Sequence, residues 1–390
     1  MLEPRTTAVK ALRFDRNEWN GAFGDIGTDL PLLAGMTIAA QLDAASTLIV
    51  FGLMQVLTGV LYKMPMPVQP LKAMATLVIS QKLSADVLYG GGIAVGLLML
   101  VLSLTGLLEK LAQLVPQVVV RGLQLGLALQ LGLLALKDYI SPSGAAGYAL
   151  ALLSFVLILA LQRRRLPAAL VVMALGVGYA LTVAPDSQRL WLHALEPSLN
   201  LPKWHAPTWS DIEQGFVVLA LPQIALSIGN SILATEQIAR DLFPEKALTV
   251  KRIGLTYSIM NLIAPFLSGV PTCHGAGGLA GHYAFGARTG GSVVLYGSFY
   301  LIWGLFFAEC FEMLLRAFPL PILGVVLLFE AVALFGLVHT HSYTATHTTV
   351  LAIVAFAAIG LPFGFLVGLI AGTAVFYAFK LRNAEAKDRL

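Results

Sequence analysis

Two stretches of this chain put polar and helix-breaking residues where their surroundings are almost uniformly apolar. Residues 270–291, VPTCHGAGGLAGHYAFGARTGG, hold a run of glycines, a proline, a cysteine and two histidines. Residues 65–75, PMPVQPLKAMA, hold three prolines and a lysine. Aligned on Pro67 and Pro271, both read as a proline, two or three extended residues and then a small-residue helix start. A helix start carries free N–H groups and about half a positive charge from the macrodipole. Two such starts facing one cavity make an anion site without needing a basic side chain. Paired broken segments in the two halves of a membrane protein point to a substrate site at the bilayer midplane. The expected ligands are Gln69 and Lys72 from the first break and His274, Gly275, Ala276, Gly277 and Gly278 from the second. Glycines there let a ligand approach the backbone closely, although they also serve close helix packing.

Charged residues inside apolar segments are costly, so each raises a functional question. Asp25 and Asp29 in NGAFGDIGTDLP lie four apart, on one face of a helix. Two readings stay open: a carboxylate coupled to protons, with Asp25 first, or an ion pair of Asp25 or Asp29 with Lys72. Gln223, Ser227, Asn230 and Ser231 follow the spacing of a single helix face. Gln223 and Asn230 are expected to line the substrate cavity, the alternative being interhelical hydrogen bonds. Glu236 and Arg240 read as an exposed pair, and His282 as a packing or hydrogen-bonded histidine. The stretch HTHSYTATH (339–347) superficially resembles a metal site but has no acidic or cysteine partner. No metal and no cofactor are expected.

The elements that position these residues follow from composition. The chain of 390 residues is 57% hydrophobic and 12% charged, with a mean hydropathy of +0.80. Soluble domains carry about 25% charged residues, and a membrane span needs about 20 mostly apolar ones. In lipid each backbone group must be satisfied within its own segment. An all-α polytopic membrane protein is predicted. The polar, basic segment before Trp19 has no apolar core of the kind a cleavable signal needs. Segments at 20–42, 45–62, 67–82, 88–109, 116–136, 147–162 and 167–184 form a first set of seven. Those at 214–238, 252–268, 274–287, 291–315, 319–338, 346–360 and 362–380 form a second. This divides the chain into an N-terminus 1–19, a repeat 20–184, an external loop 185–213, a second repeat 214–380 and a tail 381–390. An odd number of spans per half inverts the second repeat, so the half-helices enter from opposite faces and meet near the midplane. With both termini on one side, 19 of the 25 Lys and Arg residues fall on that side and 5 on the other, Lys72 lying within a span. The positive-inside rule makes that side cytoplasmic.

The net charge of +4 mostly records those cytoplasmic residues and gives no reason to expect nucleic acid as a partner; membrane lipid is the expected surroundings. Cys273 and Cys310 are too few for a disulfide framework. No nucleophile–base pair, metal cluster or Walker A string is present in the sequence, so the chain is expected to be neither an enzyme nor a direct user of ATP.

The strings GAFGDIGTDLPL, PMPVQPLKAMA, LPQIALSIGNSILAT and PTCHGAGGLAGHYAFGARTGG resemble the signature blocks of the molybdate transporter family, which is related to the SulP sulfate permeases. The resemblance implies a fold of seven plus seven inverted-repeat spans. Spans 1–4 and 8–11 would form a core domain and spans 5–7 and 12–14 a gate domain. The anion would sit between the starts of spans 3 and 10 and move as the core slides against the gate. SulP carriers usually add a C-terminal STAS domain, which is expected to be absent because only residues 380–390 follow Phe379. The expected function is secondary active uptake of a tetrahedral oxyanion, molybdate first and sulfate second, across a bacterial-type inner membrane. A passive anion channel is the alternative, and a homodimer is compatible with either.

Overall fold

A computed structural model describes residues 12–162, 168–183, 195–246, 248–339 and 343–388. Arg5, Lys10, Arg163–Arg165, Arg189 and Arg389, used in the charge comparison, and residues 340–342 of HTHSYTATH lie outside the described residues. The chain opens with α1 (Arg16–Ala22) and α2 (Ile26–Ala39), separated by a break at Phe23–Asp25. Then come α3 (Ala44–Tyr62), the strand β1 (Val68–Pro70), the half-helix α4 (Lys72–Gln81), α5 (Ala85–Thr105) and the short α6 (Leu107–Leu114). The first half closes with α7 (Gln117–Leu134), α8 (Gly144–Gln162) and α9 (Ala168–Val183).

The second half repeats the plan. A long α10 (Trp209–Leu242) is followed by α11 (Val250–Ile263), β2 (Thr272–His274) and the half-helix α12 (Ala276–Ala284). After these come α13 (Gly291–Phe306), α14 (Ala308–Ala317), α15 (Leu320–His339), α16 (Ala345–Gly360) and α17 (Gly364–Asp388). Among the described residues, five helices are long and apolar enough to cross a membrane, or six if α13 and α14 are counted as one bent span. Shorter apolar helices fill the remaining positions. The chain is a multi-pass α-helical membrane protein.

Two expected spans differ in detail. The segment 291–315 was expected to be one helix, but it turns by 98° at Phe307 into α14. Its sequence AECFEMLLRA is amphipathic, the pattern of a helix suited to a membrane interface. The same step occurs in the first half, where Gly106 takes φ +71° between α5 and the amphipathic α6, LLEKLAQL. In both halves a proline then starts the next span, Pro116 before α7 and Pro319 before α15. The polar connection between α7 and α8 is itself helical, a π turn over Ala135–Ile140 and a 3-10 turn over Ser141–Ser143.

Packing separates the two halves of the mechanism. Helix α3 lies along α13 and α5 along α11, while α7 packs on α15 and α16. Spans 2 and 4 are thereby matched with 11 and 9, and span 5 with 12 and 13, as core and gate domains of a seven-plus-seven inverted repeat require. Glu18 ties α1 to the core. Its carboxylate accepts the backbone N–H groups of Arg288, Thr289 and Ser292 at 2.9–3.0 Å. Outside the spans, Lys203 meets Asp43 at 2.5 Å. Burial opposes the Asp43 charge, but hydrogen bonds from Lys203 and Ser46 outweigh it and hold the carboxyl below its ordinary range. This tie is therefore complete at neutral pH and lost only as strong acid protonates Asp43.

Candidate functional site

The two breaks meet as a miniature sheet. Strands β1 and β2 pair antiparallel with Gln69 opposite Cys273, Val68 opposite His274 and Pro70 opposite Thr272. Pro67, Pro70 and Pro271 keep these residues extended and cannot continue a helix, and a half-helix starts within two residues of each strand. A sheet so short needs outside partners. Gln55 of α3 donates from Nε2 to the Val68 carbonyl at 2.7 Å and accepts the Val68 N–H at 2.9 Å. Asn261 of α11 does the same for Thr272, at 2.6 and 2.9 Å. Both amides are fully buried. Gln55→Leu or Asn261→Leu would strand two buried backbone groups at about 1–3 kcal/mol each. Each substitution is expected to lower the unfolding temperature in detergent markedly.

The half-helix starts are arranged unequally. At α4 the N–H groups of Ala73 and Met74 donate to Gln223 Oε1 at 3.0 and 3.3 Å. At α12 no side chain caps the start. Instead Gln69 and Asp25 crowd it: a Cβ on Gly275 would overlap Gln69 Oε1, and one on Gly278 would overlap Asp25 Oδ2. Gln69 Nε2 holds both Asp25 carboxylate oxygens at 2.6 and 2.7 Å, and its buried Oε1 has no hydrogen-bond partner. A carboxylate beside the first turn of a helix is favoured by the macrodipole. Glycine at 275 and 278 is needed for room; the backbone of Gly275, at φ −110° and ψ 120°, would suit any residue.

Lys72 is not paired with Asp25 or Asp29, as one sequence reading had it. Its ammonium lies 2.5 Å from Glu330 on α15, an ion pair that crosses from core to gate. Asp29 is fully buried and accepts from the Tyr296 hydroxyl at 3.1 Å, which lies 2.9 Å from that of Tyr300. Asp25, Asp29 and Glu330 therefore face a single ammonium, that of Lys72. Three carboxyl groups against one cation in a dry site cannot all carry charge without a large penalty.

The remaining expected ligands are placed as follows. Ala276 and Gly277 open α12, and nothing lies within 4 Å of a Cβ built on Gly277. His274 faces the opposite side of the sheet from Gln69, as alternation along a strand requires. Its ring meets Thr256 at 2.8 Å and the Pro67 carbonyl at 3.3 Å, so both nitrogens are engaged with the scaffold. His282 is buried against Ser292 at 3.2 Å and the Tyr296 ring. The polar stripe of α10 runs through π-helical turns at Phe216–Ala220 and Ser227–Ala234, which widen the spacing assumed for one face. Gln223 reaches α4, Ser227 meets Tyr257 at 2.7 Å, and Asn230 accepts from Gln124 of α7 at 3.1 Å. Glu236 and Arg240 form the expected ion pair, with Glu236 itself buried. Cys273 and Cys310 are buried and unpaired, and no metal-binding cluster occurs among the described residues.

Sequence reading missed Glu330, Gln55, Asn261 and Tyr296. Glu330 was there to be found, a lone charge in the apolar run PILGVVLLFEAVALFG. The others are polar residues whose partners are backbone groups or carboxylates far away in sequence, and nothing local marks them.

Comparison with known proteins places the chain in a family and a fold. A family model described as "Molybdate transporter of MFS superfamily" matches residues 17–131 and 215–334. The chain is 33% identical over 367 residues to Molybdate transporter 2 of Arabidopsis thaliana, covering 82% of this chain and 78% of that protein. It is 28% identical over 492 aligned positions to Molybdate transporter 1 of Chlamydomonas reinhardtii, covering 96% and 93%. Among solved structures, the transmembrane domain of a cyanobacterium bicarbonate transporter BicA superposes with a TM-score of 0.65 at 17% identity, covering 94% of this chain and 100% of that one. Murine Solute Carrier 26 family member A9, in the inward-facing state, gives 0.67 at 12% identity, covering 96% and 69%. At these identities the structural likeness speaks for the fold.

Proposed function

The chain belongs to the molybdate transporter family, and from that premise we propose that it takes up molybdate as a proton-coupled secondary carrier. The observation that carries this reading is the meeting of two half-helix starts beside a buried lysine, at the boundary between core and gate. The substrate would be held by the free N–H groups of Ala276, Gly277 and Gly278, by Lys72 and by Gln69, with Gly275 leaving room for Gln69. His274, Gln223 and Asn230 would hold the frame: His274 through Thr256 and Pro67, Gln223 at the start of α4, and Asn230 across to α7. Asp25 is the first candidate for the proton-carrying carboxylate within the core, with Asp29 behind it. Alternating access would follow from the core sliding against the gate, with α6 and α14 as the interfacial connections.

Residues 20–184 and 214–380 would be the two repeats, 185–213 the external loop, and residues 1–19 and 381–390 cytoplasmic ends. The basic residues favour cytoplasmic termini in a plasma-type membrane. Assembly as a homodimer is included in the proposal. Sulfate is the second substrate, since it shares molybdate's charge and shape and polar contacts separate such ligands poorly.

Uptake of labelled molybdate into proteoliposomes tests the reading, with sulfate as competitor and an imposed pH gradient. Saturable uptake stimulated by an inwardly directed proton gradient is expected. Non-saturating flux would identify a channel, and no uptake under any gradient would end the carrier reading. Asp25→Asn should lose most of the response to the gradient while still binding substrate. Full stimulation in that variant would remove Asp25 from the coupling.

A further inference from the structure

The Lys72–Glu330 pair joins a half-helix of the core to a helix of the gate, at the side chain best able to hold an oxyanion. Lys72 is buried and Glu330 nearly so, with side-chain exposures of 5% and 17%. Glu330 is the only acidic residue in α15. Its charged neighbours are Lys72 on α4 and, from the α1–α2 segment, Asp25 and Asp29. Thr28 of α2 lies within hydrogen-bonding reach of it. Helices α7, α8 and α9 and the turn Ala135–Ile140, which carries Lys137 and Asp138, also pack on α15; among the described residues the cation that acts on Glu330 is Lys72.

We propose that Glu330 is a tethered anion that holds the substrate's place on Lys72, so that an oxyanion binds by displacing it and Glu330 takes up a proton as it leaves. This rests on the oxyanion reading above and adds to it a residue of the gate. The exchange balances. The ammonium–carboxylate pair, one proton and one dianion become an ammonium–dianion pair and a neutral carboxylic acid, with a total charge of −1 on each side. Without the proton, a bare carboxylate would remain buried next to a dianion, and that arrangement carries a heavy desolvation and repulsion cost. Displacement also breaks the ion pair between core and gate, so occupancy of the site and release of the domains become one event. Asp25, held by Gln69 inside the core, has no comparable reach across the boundary.

The test is oxyanion binding to the purified, detergent-solubilised protein by titration calorimetry, with molybdate and then sulfate, at pH 6.5, 7.5 and 8.5. In the unaltered protein the dissociation constant should rise with pH, approaching tenfold per unit for a one-proton exchange. Glu330→Gln mimics the displaced, neutral side chain. It should bind at least tenfold more tightly at pH 8.5 and lose that slope. Glu330→Asp keeps the charge on a shorter arm, should keep the slope, and serves if the glutamine variant does not fold. Asp25→Asn is measured alongside. An unchanged slope in Glu330→Gln, weaker binding by it, or a slope lost in the Asp variant would overturn the proposal and leave the carrier reading standing. Failure of both anions to bind the unaltered protein would overturn both.

Discussion

Lys72→Ala is expected to lower stability by about 3–5 kcal/mol, because it leaves Glu330 as a buried charge without its partner. The loss should be largely restored in the double variant Lys72→Met with Glu330→Gln, since replacing both members of a buried pair is often neutral. Glu330→Gln alone should cost less, because Asp25 lies near enough to compensate the Lys72 charge. Thermal unfolding of these proteins in one detergent, with Lys72→Met alone completing the cycle, gives the coupling energy directly. A Lys72→Ala protein within about 1 kcal/mol of the parent, the range of an exposed ion pair, would mean that the pair contributes little in the membrane environment. The stable double variant should nevertheless fail to transport, which separates the lysine's structural role from its role toward substrate.

The glycines of α12 should divide into two classes. Gly275→Ala and Gly278→Ala place a methyl group against Gln69 and Asp25, and overpacking of this kind costs about 1–3 kcal/mol. Both should lose at least tenfold in uptake, because the Gln69–Asp25 contact must move. Gly277→Ala meets no protein atom within 4 Å, so its melting temperature should match the parent's. Its KM should still rise severalfold, since the new methyl group lies beside an N–H proposed to hold the anion. A Gly277→Ala protein with unaltered KM would show that the substrate does not approach this turn, and would move the site toward Lys72 and α4.

Much of this arrangement is legible in the sequence because a membrane makes breaks expensive. Prolines at 67, 70 and 271 and glycines at 275, 277 and 278 stand out against apolar surroundings, and their common pattern shows the repeat before any coordinates. The strand pairing of Gln69 with Cys273 was not read: both segments look extended, but nothing local sets a register between them. The bend at Phe307 was not legible, because hydropathy continues through it and only the period of AECFEMLLRA marks an interfacial helix. The direction of His274 was missed for another reason: proximity to a helix start suggested a ligand, while strand alternation turns its ring toward Thr256. The partner of Lys72 depends on how gate packs on core, and no local rule connects positions 72 and 330. Resemblance to a family added the assignment of spans to core and gate, which residue patterns alone did not reach.

The amide clamps have a consequence for how such a protein can change over generations. Gln55 and Asn261 grip the strands entirely through main-chain N–H and carbonyl groups. The two clamps are therefore indifferent to which side chains positions 68 and 272 carry. If the half-helix starts hold the anion as proposed, a replacement at Gln69 would alter what the crossing offers it without touching the main-chain bonds that join the two strands. A change of ligand preference at this joint would then need no change in Gln55 or Asn261, whose bonds go only to the main chain.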